Sequence, residues 1–340
     1  MKIIMDGRLL ESRASGVRDV AVGMSEGLRK LSDEGLIDFE TVGSDAPPSL
    51  SLSIDRRIPS RGFMHVGLPN VARKAGADAI FVPRQTRPVL SPVPVIPLIH
   101  DVGFWRVPDL YPASKAIQVS TRIASTSRVA AAVSAFTASE MRVFGFKQQI
   151  VDLGLGAAHK LDWTPNSIDP FILCVGVQTR HKNLLRLVRA WKLAKTEGVR
   201  LVICAKEGDE TAAIKDELRD WKPSSINLVQ GLSDDRYQEL LSTCTGYIQP
   251  SLYEGLCVPV MDVAAAGVPV AVSSDGNTGS VFAGLEGAVF DPHSDWAIAE
   301  SVERLIGDTS YRSRASEWNL RNIRLTDWTE SARALAGAIR

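Results

Sequence analysis

The sequence predicts an α/β protein of two Rossmann-like, doubly wound domains that face each other across a cleft, and three observations carry that prediction. Short apolar runs of strand length alternate with helix-length stretches along the whole chain, the pattern of βα units around parallel sheets. The alternation lapses between Gly154 and Pro170, where Gly, Pro, Asn and Asp are scattered. The chain is 340 residues long, more than one ordinary core organises, and its 45% hydrophobic and 23% charged residues are the balance of an ordered globular protein.

The first domain, residues 1–155, opens with a strand at Lys2–Met5. MKIIMDGRLL carries an acid at position 6 and no long apolar stretch, so it reads as a strand and not as a signal peptide. A helix is expected over Val17–Leu31 and a strand over Phe39–Val42. A Pro- and Ser-rich surface loop follows at Ala46–Ser60, then a helix at Val66–Ala75. Strands at Ala79–Val82 and Val95–Ile99, a helix at Ser114–Ser125 and a strand at Val129–Val133 come next. The last helix, Thr137–Phe144, opens on Thr137-Ala138-Ser139-Glu140, a capping-box pattern that satisfies orphan amides.

Residues 156–170 are the linker, and 171–324 the second domain. Its strands are expected at Phe171–Val175, Val199–Ala205, Ile226–Leu228, Gly246–Gln249, Val268–Val272 and Gly287–Val289. Its helices are expected at Asn183–Thr196, Glu210–Trp221, Asp234–Cys244, Val258–Ala266 and Asp295–Ile306. Doubly wound sheets bind ligands beyond the carboxyl ends of their strands, which places a ligand cleft between the two.

Charge narrows the partners. The 39 basic and 39 acidic residues cancel, but residues 1–160 hold 20 basic against 15 acidic and the remainder 19 against 24. A mildly basic first half suits an anionic acceptor or a membrane surface; chance scatter of solvated charge gives the same split, and no basic run points to nucleic acid. Cys174, Cys204, Cys244 and Cys257 lie at no metal-clip spacing and read as reduced core thiols, which suits a cytoplasmic protein. No stretch reaches transmembrane length.

Two segments carry chemistry. In PSLYEGLCVPVMDVAAAGVP, Pro250 to Pro269, a strand ends, a turn holds Glu254 and Gly255, and Pro259 sits in the first turn of a helix. Free amides at that helix start, around Leu256, Cys257 and Val258, suit phosphate or sugar hydroxyls. The carboxylates of Glu254 and Asp262 suit vicinal hydroxyls. In FILCVGVQTRHKN, Phe171 to Asn183, a buried strand turns at Gly176 into the basic run Arg180-His181-Lys182 at a helix start, a place to stabilise charge on a departing diphosphate. In the first domain, VIPLIHD ends a strand in His100-Asp101.

The first segment resembles the Glu-x7-Glu signature of retaining glycosyltransferases of family 4, in glycosyltransferase group 1, usually written S-x-x-E-G-F-G-L-P-x-x-E-A-M-A-x-G-x-P. Here Leu256-Cys257 replaces Phe-Gly, and Asp262 replaces the second glutamate. The second segment is similar to the family's V-G-x-x-x-x-R-K-N run, with His181 at the arginine position, Arg180 beside it and Lys182 matching directly. The family has a GT-B fold, and the resemblance implies that Glu254 borders the donor sugar, Asp262 holds the nucleotide ribose, and Arg180, His181 and Lys182 hold the diphosphate. It also implies that His100 approaches the donor sugar, and that the acceptor meets the first domain at Arg8, Gly16 and Asp101. The acceptor loop Asp6-Gly7-Arg8 to Ser15-Gly16-Val17 has Arg18 where the family often has a second glycine. Weaker echoes are Val133-Ser134-Ala135-Phe136-Thr137, Gly231-Leu232-Ser233-Asp234-Asp235, and Trp328-Thr329-Glu330, which resembles the opening of a final helix, 325–340, crossing back to the first domain. The family's Pro-Glu near residue 280 is replaced by Gly279-Ser280, leaving Asn277 or Ser280 as a substitute.

The implied activity is transfer of a hexose, mannose first, from a nucleoside-diphosphate sugar to a glycan or lipid-linked acceptor, with retention, in bacterial surface-polysaccharide assembly. No Asp-x-Asp triplet is present and no metal or other cofactor is expected. The resemblance places the protein in the cytoplasm, with peripheral contact at the inner face of the membrane. Three rivals stand beside it. A nicotinamide-dependent dehydrogenase would need a G-x-G-x-x-G after the first strand, which is missing. The others are a sugar-nucleotide-binding protein without turnover, and a sugar-nucleotide epimerase of similar scaffold.

Overall fold

The computed structural model describes residues 1–12, 15–45, 54–111, 114–154, 156, 158–219 and 225–339. The chain divides into two compact units. The N-terminal unit comprises Met1–Arg106, Ala113–Ala158 and Leu325–Arg340; the C-terminal unit comprises Val107–Pro112 and His159–Arg324.

Seven strands form the sheet of the N-terminal unit: β1 (Lys2–Asp6), β2 (Asp38–Ser44), β3 (Arg56–Ile58), β4 (Ala79–Val82), β5 (Val95–Ile99), β6 (Val129–Ala132) and β7 (Gln149–Asp152). Their order is β3-β2-β1-β4-β5-β6-β7, and every pairing is parallel. Parallel neighbours need crossover connections, so helices cover both faces and the inner strands read as unbroken apolar runs. β4 and β5 are buried at every position. The two edge strands are more exposed, and β3 presents Arg56 and Arg57 to solvent, which blunts the edge against further pairing.

The C-terminal sheet holds β8 (Phe171–Val177), β9 (Arg200–Lys206), β10 (Ile226–Val229), β11 (Gly246–Gln249), β12 (Val270–Ser273) and β13 (Val289–Phe290). It is also wholly parallel, in the order β10-β9-β8-β11-β12-β13. Strand order reverses between β1 and β4 in one sheet and between β8 and β11 in the other. Loops leaving the carboxyl ends of those strand pairs diverge to opposite sides and open a crevice at the switch point. The core of the C-terminal unit gathers Ile172, Leu173, Trp191, Ile203, Tyr247 and Val272 from strands and flanking helix.

Several expected elements differ. β3 and β7 take residues expected in a loop or left unassigned, because tertiary pairing at a sheet edge needs little local propensity. The expected loop Ala46–Ser60 falls outside the described residues over 46–53. The helix expected from Thr137 begins at Ala135: Ser134, in extended backbone, accepts the Thr137 amide at 3.1 Å and is the true cap. The helix expected over Glu210–Trp221 spans Thr211–Arg219, and Trp221 lies outside the described residues. Unanticipated helices occupy Gly276–Phe282 and Thr309–Asn322.

The final helix, Trp328–Gly337, lies along Gly16–Asp33 in the N-terminal unit. Glycines make the seat: a Cβ at Gly23 would meet the Trp328 ring at 2.0 Å, and one at Gly27 the Trp328 carbonyl at 2.2 Å. Glycines four apart lie on one face of a helix and let another backbone approach. Among the described residues no helix is long and apolar enough to cross a membrane.

Candidate active site

The two chemistry-bearing segments of the C-terminal unit meet at its switch point, one leaving β8 and the other leaving β11. From the first, Lys182 Nζ donates to Glu254 Oε1 of the second at 2.6 Å. Both side chains are largely buried, and the stem of Lys182 lies over Gly176, where a Cβ would sit 3.6 Å from Lys182 Cγ. Burial pushes the Glu254 carboxyl up, but the Lys182 charge and hydrogen bond and the Ser251 hydroxyl outweigh it and hold the carboxyl below its usual value.

Asn183 fixes this geometry. It is the one non-glycine residue with positive φ among the described residues, at 58°. Asparagine tolerates that left-handed conformation better than most residues. Its buried amide donates to Pro250 O at 3.1 Å and to Pro292 O at 2.8 Å, tying the β8 loop to the β11 loop. The helix Val258–Ala265 then starts just beyond Glu254, with Cys257 before it and Pro259 in its first turn. Its first amides are the anion-binding end of the helix. Leu256 and Val258 are half-buried there, and burial pushes the Cys257 thiol well above its ordinary pKa, so it is a packed thiol. Asp262 lies in the second turn and is 2% exposed.

The basic run is not uniform. Arg180 is exposed and faces Asp209 at 3.5 Å. His181 stacks on Tyr111, ring centroids 4.5 Å apart and 11° from parallel, and both belong to the C-terminal unit. Burial, reinforced by Lys182 and opposed by Glu254 and Asp209, pushes the imidazole down to about 4. His181 is therefore neutral at pH 7, and the cations of this run are Lys182 and Arg180.

A relay behind Glu254 has no counterpart in the sequence reading. Val175 N donates to Tyr247 Oη at 3.2 Å, Tyr247 Oη to Gln249 Oε1 at 3.0 Å, Gln249 Nε2 to Ser251 Oγ at 2.6 Å, and Ser251 Oγ to Glu254 Oε1 at 2.7 Å. Gln249 and Ser251 are fully buried, and every donor points the same way, so each bond polarises the next toward the carboxylate. From the other side, Asn277 Nδ2 donates to Gly255 O and Asn277 N to Glu254 O, both at 3.0 Å. Gly276 has φ +71°, and a Cβ there would meet Glu254 N at 2.7 Å. A polar residue ending the apolar strand Gly246–Gln249, and the turn signal Asp275-Gly276-Asn277, were the available sequence clues.

At the switch point of the N-terminal unit, Asp6 ends β1, buried, and accepts Arg8 Nε at 2.9 Å and Arg8 Nη2 at 2.6 Å. Arg8 lies 4.1 Å from the Phe63 ring centroid. His100, after β5, donates from Nε2 to Pro83 O at 3.1 Å, which leaves Nδ1 as the acceptor. Burial, with the nearby Arg84 charge, pushes it down to about 4 against the pull of that bond. Asp101 Oδ1 accepts Gly103 N at 2.9 Å. Gly16 opens the helix Gly16–Asp33, capped by Ser15, which accepts Arg18 N at 3.2 Å. Among the described residues no group of three or more His, Cys, Asp or Glu side chains is arranged to hold a metal ion.

Residues 159–319 match the model of the family described as glycosyl transferases group 1. The chain is 23% identical over 252 residues to the O-antigen chain mannosyltransferase B of Escherichia coli, an alignment covering 67% of this chain and 65% of that protein. It therefore spans less than two thirds of the length of that relative, and smaller shares of other curated relatives it matches. In fold it is similar to sucrose-phosphate synthase from Thermosynechococcus elongatus, with a TM-score of 0.76, 15% identity and coverage of 99% and 98% of the two chains. It is also similar to HepE of Anabaena in complex with UDP and glucose, with a TM-score of 0.71, 14% identity and coverage of 100% and 99%. The fold is that of GT-B glycosyltransferases.

Proposed function

We propose that this chain, whose residues 159–319 match the group 1 glycosyltransferase model, transfers a hexose with retention from a nucleoside-diphosphate sugar to a hydroxyl of a saccharide acceptor. The observation that carries the reading is the Lys182–Glu254 pair at the β8/β11 switch point, beside the amino end of the helix Val258–Ala265. An ammonium carries three donors, so a phosphate can share Lys182 with Glu254. Lys182, Arg180 and the helix amides stabilise the charge that grows on the diphosphate as the glycosidic bond breaks. Glu254, ionised and braced by Ser251 and Asn277, orients the sugar through its hydroxyls, and Asp262 takes the ribose. The acceptor oxygen attacks the anomeric carbon on the face the diphosphate leaves, and its proton passes to the departing phosphate. The N-terminal unit supplies the acceptor through Arg8, Gly16 and Asp101, with His100 a neutral hydrogen-bonding group for sugar hydroxyls.

Mannose is the first donor sugar, on the strength of similarity to the O-antigen mannosyltransferase, with a role in surface-polysaccharide assembly. The UDP and glucose bound in the Anabaena relative favour testing UDP-glucose beside GDP-mannose. The reaction needs no metal in this reading, because the protein's own cations meet the diphosphate. Transfer and donor hydrolysis measured in Lys182→Ala and Glu254→Gln test the assignment. A drop of about 10²-fold or more in kcat/KM is expected in each, with circular dichroism unchanged. Turnover near wild type in both overturns it. Titration calorimetry showing nucleotide-sugar binding without any turnover would instead support a binding protein.

A further inference from the structure

The carboxyl edge of the N-terminal sheet carries a positive charge with no ion-pair partner among the described residues. β4 ends at Val82, and a tight turn, with Arg84 N donating to Val82 O at 2.8 Å, places Arg84 at the β1/β4 switch point. Its side chain is partly buried, and Nε is shielded from solvent with no partner. Among the described residues the guanidinium makes no hydrogen bond, ion pair or ring contact. The acid whose charge reaches it is Asp6, and both Asp6 oxygens are already committed to Arg8. Burial lowers the Arg84 pKa, although not enough to discharge an arginine. His100, alongside, is neutral and occupied with Pro83. A guanidinium taken partly out of water with no counter-ion is costly, and its planar fork matches carboxylate or phosphate oxygens.

We propose that Arg84 binds an oxyanion of the acceptor, so that the acceptor is a uronate-type or phosphorylated saccharide and not a neutral one. The inference rests on the reading above that the N-terminal unit takes the acceptor. Within that reading, the anion docks at the β1/β4 switch point and the hydroxyl to be glycosylated lies elsewhere on the same molecule.

Glucose 6-phosphate, glucuronate and glucose are titrated by calorimetry into the full-length protein, wild type and Arg84→Gln, with UDP or GDP saturating so that the diphosphate site is filled. The two charged sugars should bind wild type, with dissociation constants rising about tenfold or more in Arg84→Gln, the loss of a charge-assisted contact. Arg84→Lys should recover part of that loss, and glucose should bind weakly and equally to both. A preference for phosphate over carboxylate, or the reverse, identifies the group carried. Melting of the unliganded proteins adds a structural check: Arg84→Gln should melt at or above wild type, because an unbalanced charge is removed. Equal affinity of wild type and Arg84→Gln for the charged sugars, or a lower melting temperature of the unliganded variant, overturns the proposal. Failure of either nucleotide to bind wild type would sink the glycosyltransferase reading separately, and the sugar titrations without nucleotide would still report on Arg84.

Discussion

Glu254 owes its ionisation and its position to different neighbours. Lys182 supplies the charge that keeps it ionised, while Ser251 and the relay behind it aim the carboxylate. Removing the Ser251 hydroxyl strands a buried Gln249 donor, so Ser251→Ala should cost about 1–3 kcal/mol in urea unfolding and weaken donor binding. An unchanged urea midpoint would show that the relay contributes nothing. Protonation acts on the same scale. His100 and His181 have folded pKa values near 4, against 6.5 when unfolded, so the unfolded chain binds more protons between those values. Their contribution to stability is full above pH 6.5 and is lost as pH falls toward 4. Glu254, with its folded value below 4.5, adds stability that disappears at still lower pH. Melting curves from pH 7.5 to 5 should fall less steeply in a His100→Gln, His181→Gln double variant than in wild type; parallel curves would contradict the burial of neutral imidazoles.

Elements are held to one another at points where a side chain would not fit or a special backbone is needed. The short helix Gly276–Phe282 presses its start against the Glu254 backbone, and Gly276 combines positive φ with a 2.7 Å approach. Gly276→Ala therefore adds both strain and a clash with backbone, about 1–3 kcal/mol by the strain alone, and should displace Glu254. Nucleotide-sugar affinity and the urea midpoint should fall together; a variant with wild-type values of both would show that the contact is not tight. Asn183→Ala removes two buried hydrogen bonds and leaves an alanine in a left-handed conformation, whereas Asn183→Gly removes only the bonds. The glycine variant should be the more stable of the two by about 1 kcal/mol. On the N-terminal unit, Gly23→Ala drives a methyl into the Trp328 ring, so the final helix must shift or lift.

At the scale of the whole molecule, two parallel sheets anchor two compact units, and the N-terminal unit is completed by a segment from the far end of the chain. Deleting 325–340 should lower the melting temperature by exposing the apolar and glycine-lined face of Gly16–Asp33. A nucleoside diphosphate, held in this reading by the C-terminal unit, should raise it, by about 2.7 kcal/mol of stability at one hundred times its dissociation constant. A panel of nucleotides in a thermal-shift assay identifies the base, since the ligand that binds the folded state best gives the largest shift.

What the sequence determined by itself was periodic and local. Unbroken apolar runs between helix-length stretches made the sheets parallel and doubly wound, and the punctuation around Lys182 and Glu254 marked both as ends of strands opening onto helices. Those features follow from backbone geometry and hydrogen-bond satisfaction within a dozen residues. Only the tertiary structure decided that β8 and β11 are neighbours, and hence that residues 182 and 254 form one ion pair. The same adjacency made Gln249, Ser251 and Asn277 supports of the carboxylate, while burial against Tyr111 cast His181 as a neutral stacked ring and the turn after β4 left Arg84 without a counter-ion among the described residues. Charge state and partner depend on burial and on contacts between residues distant in the chain, which no local pattern encodes.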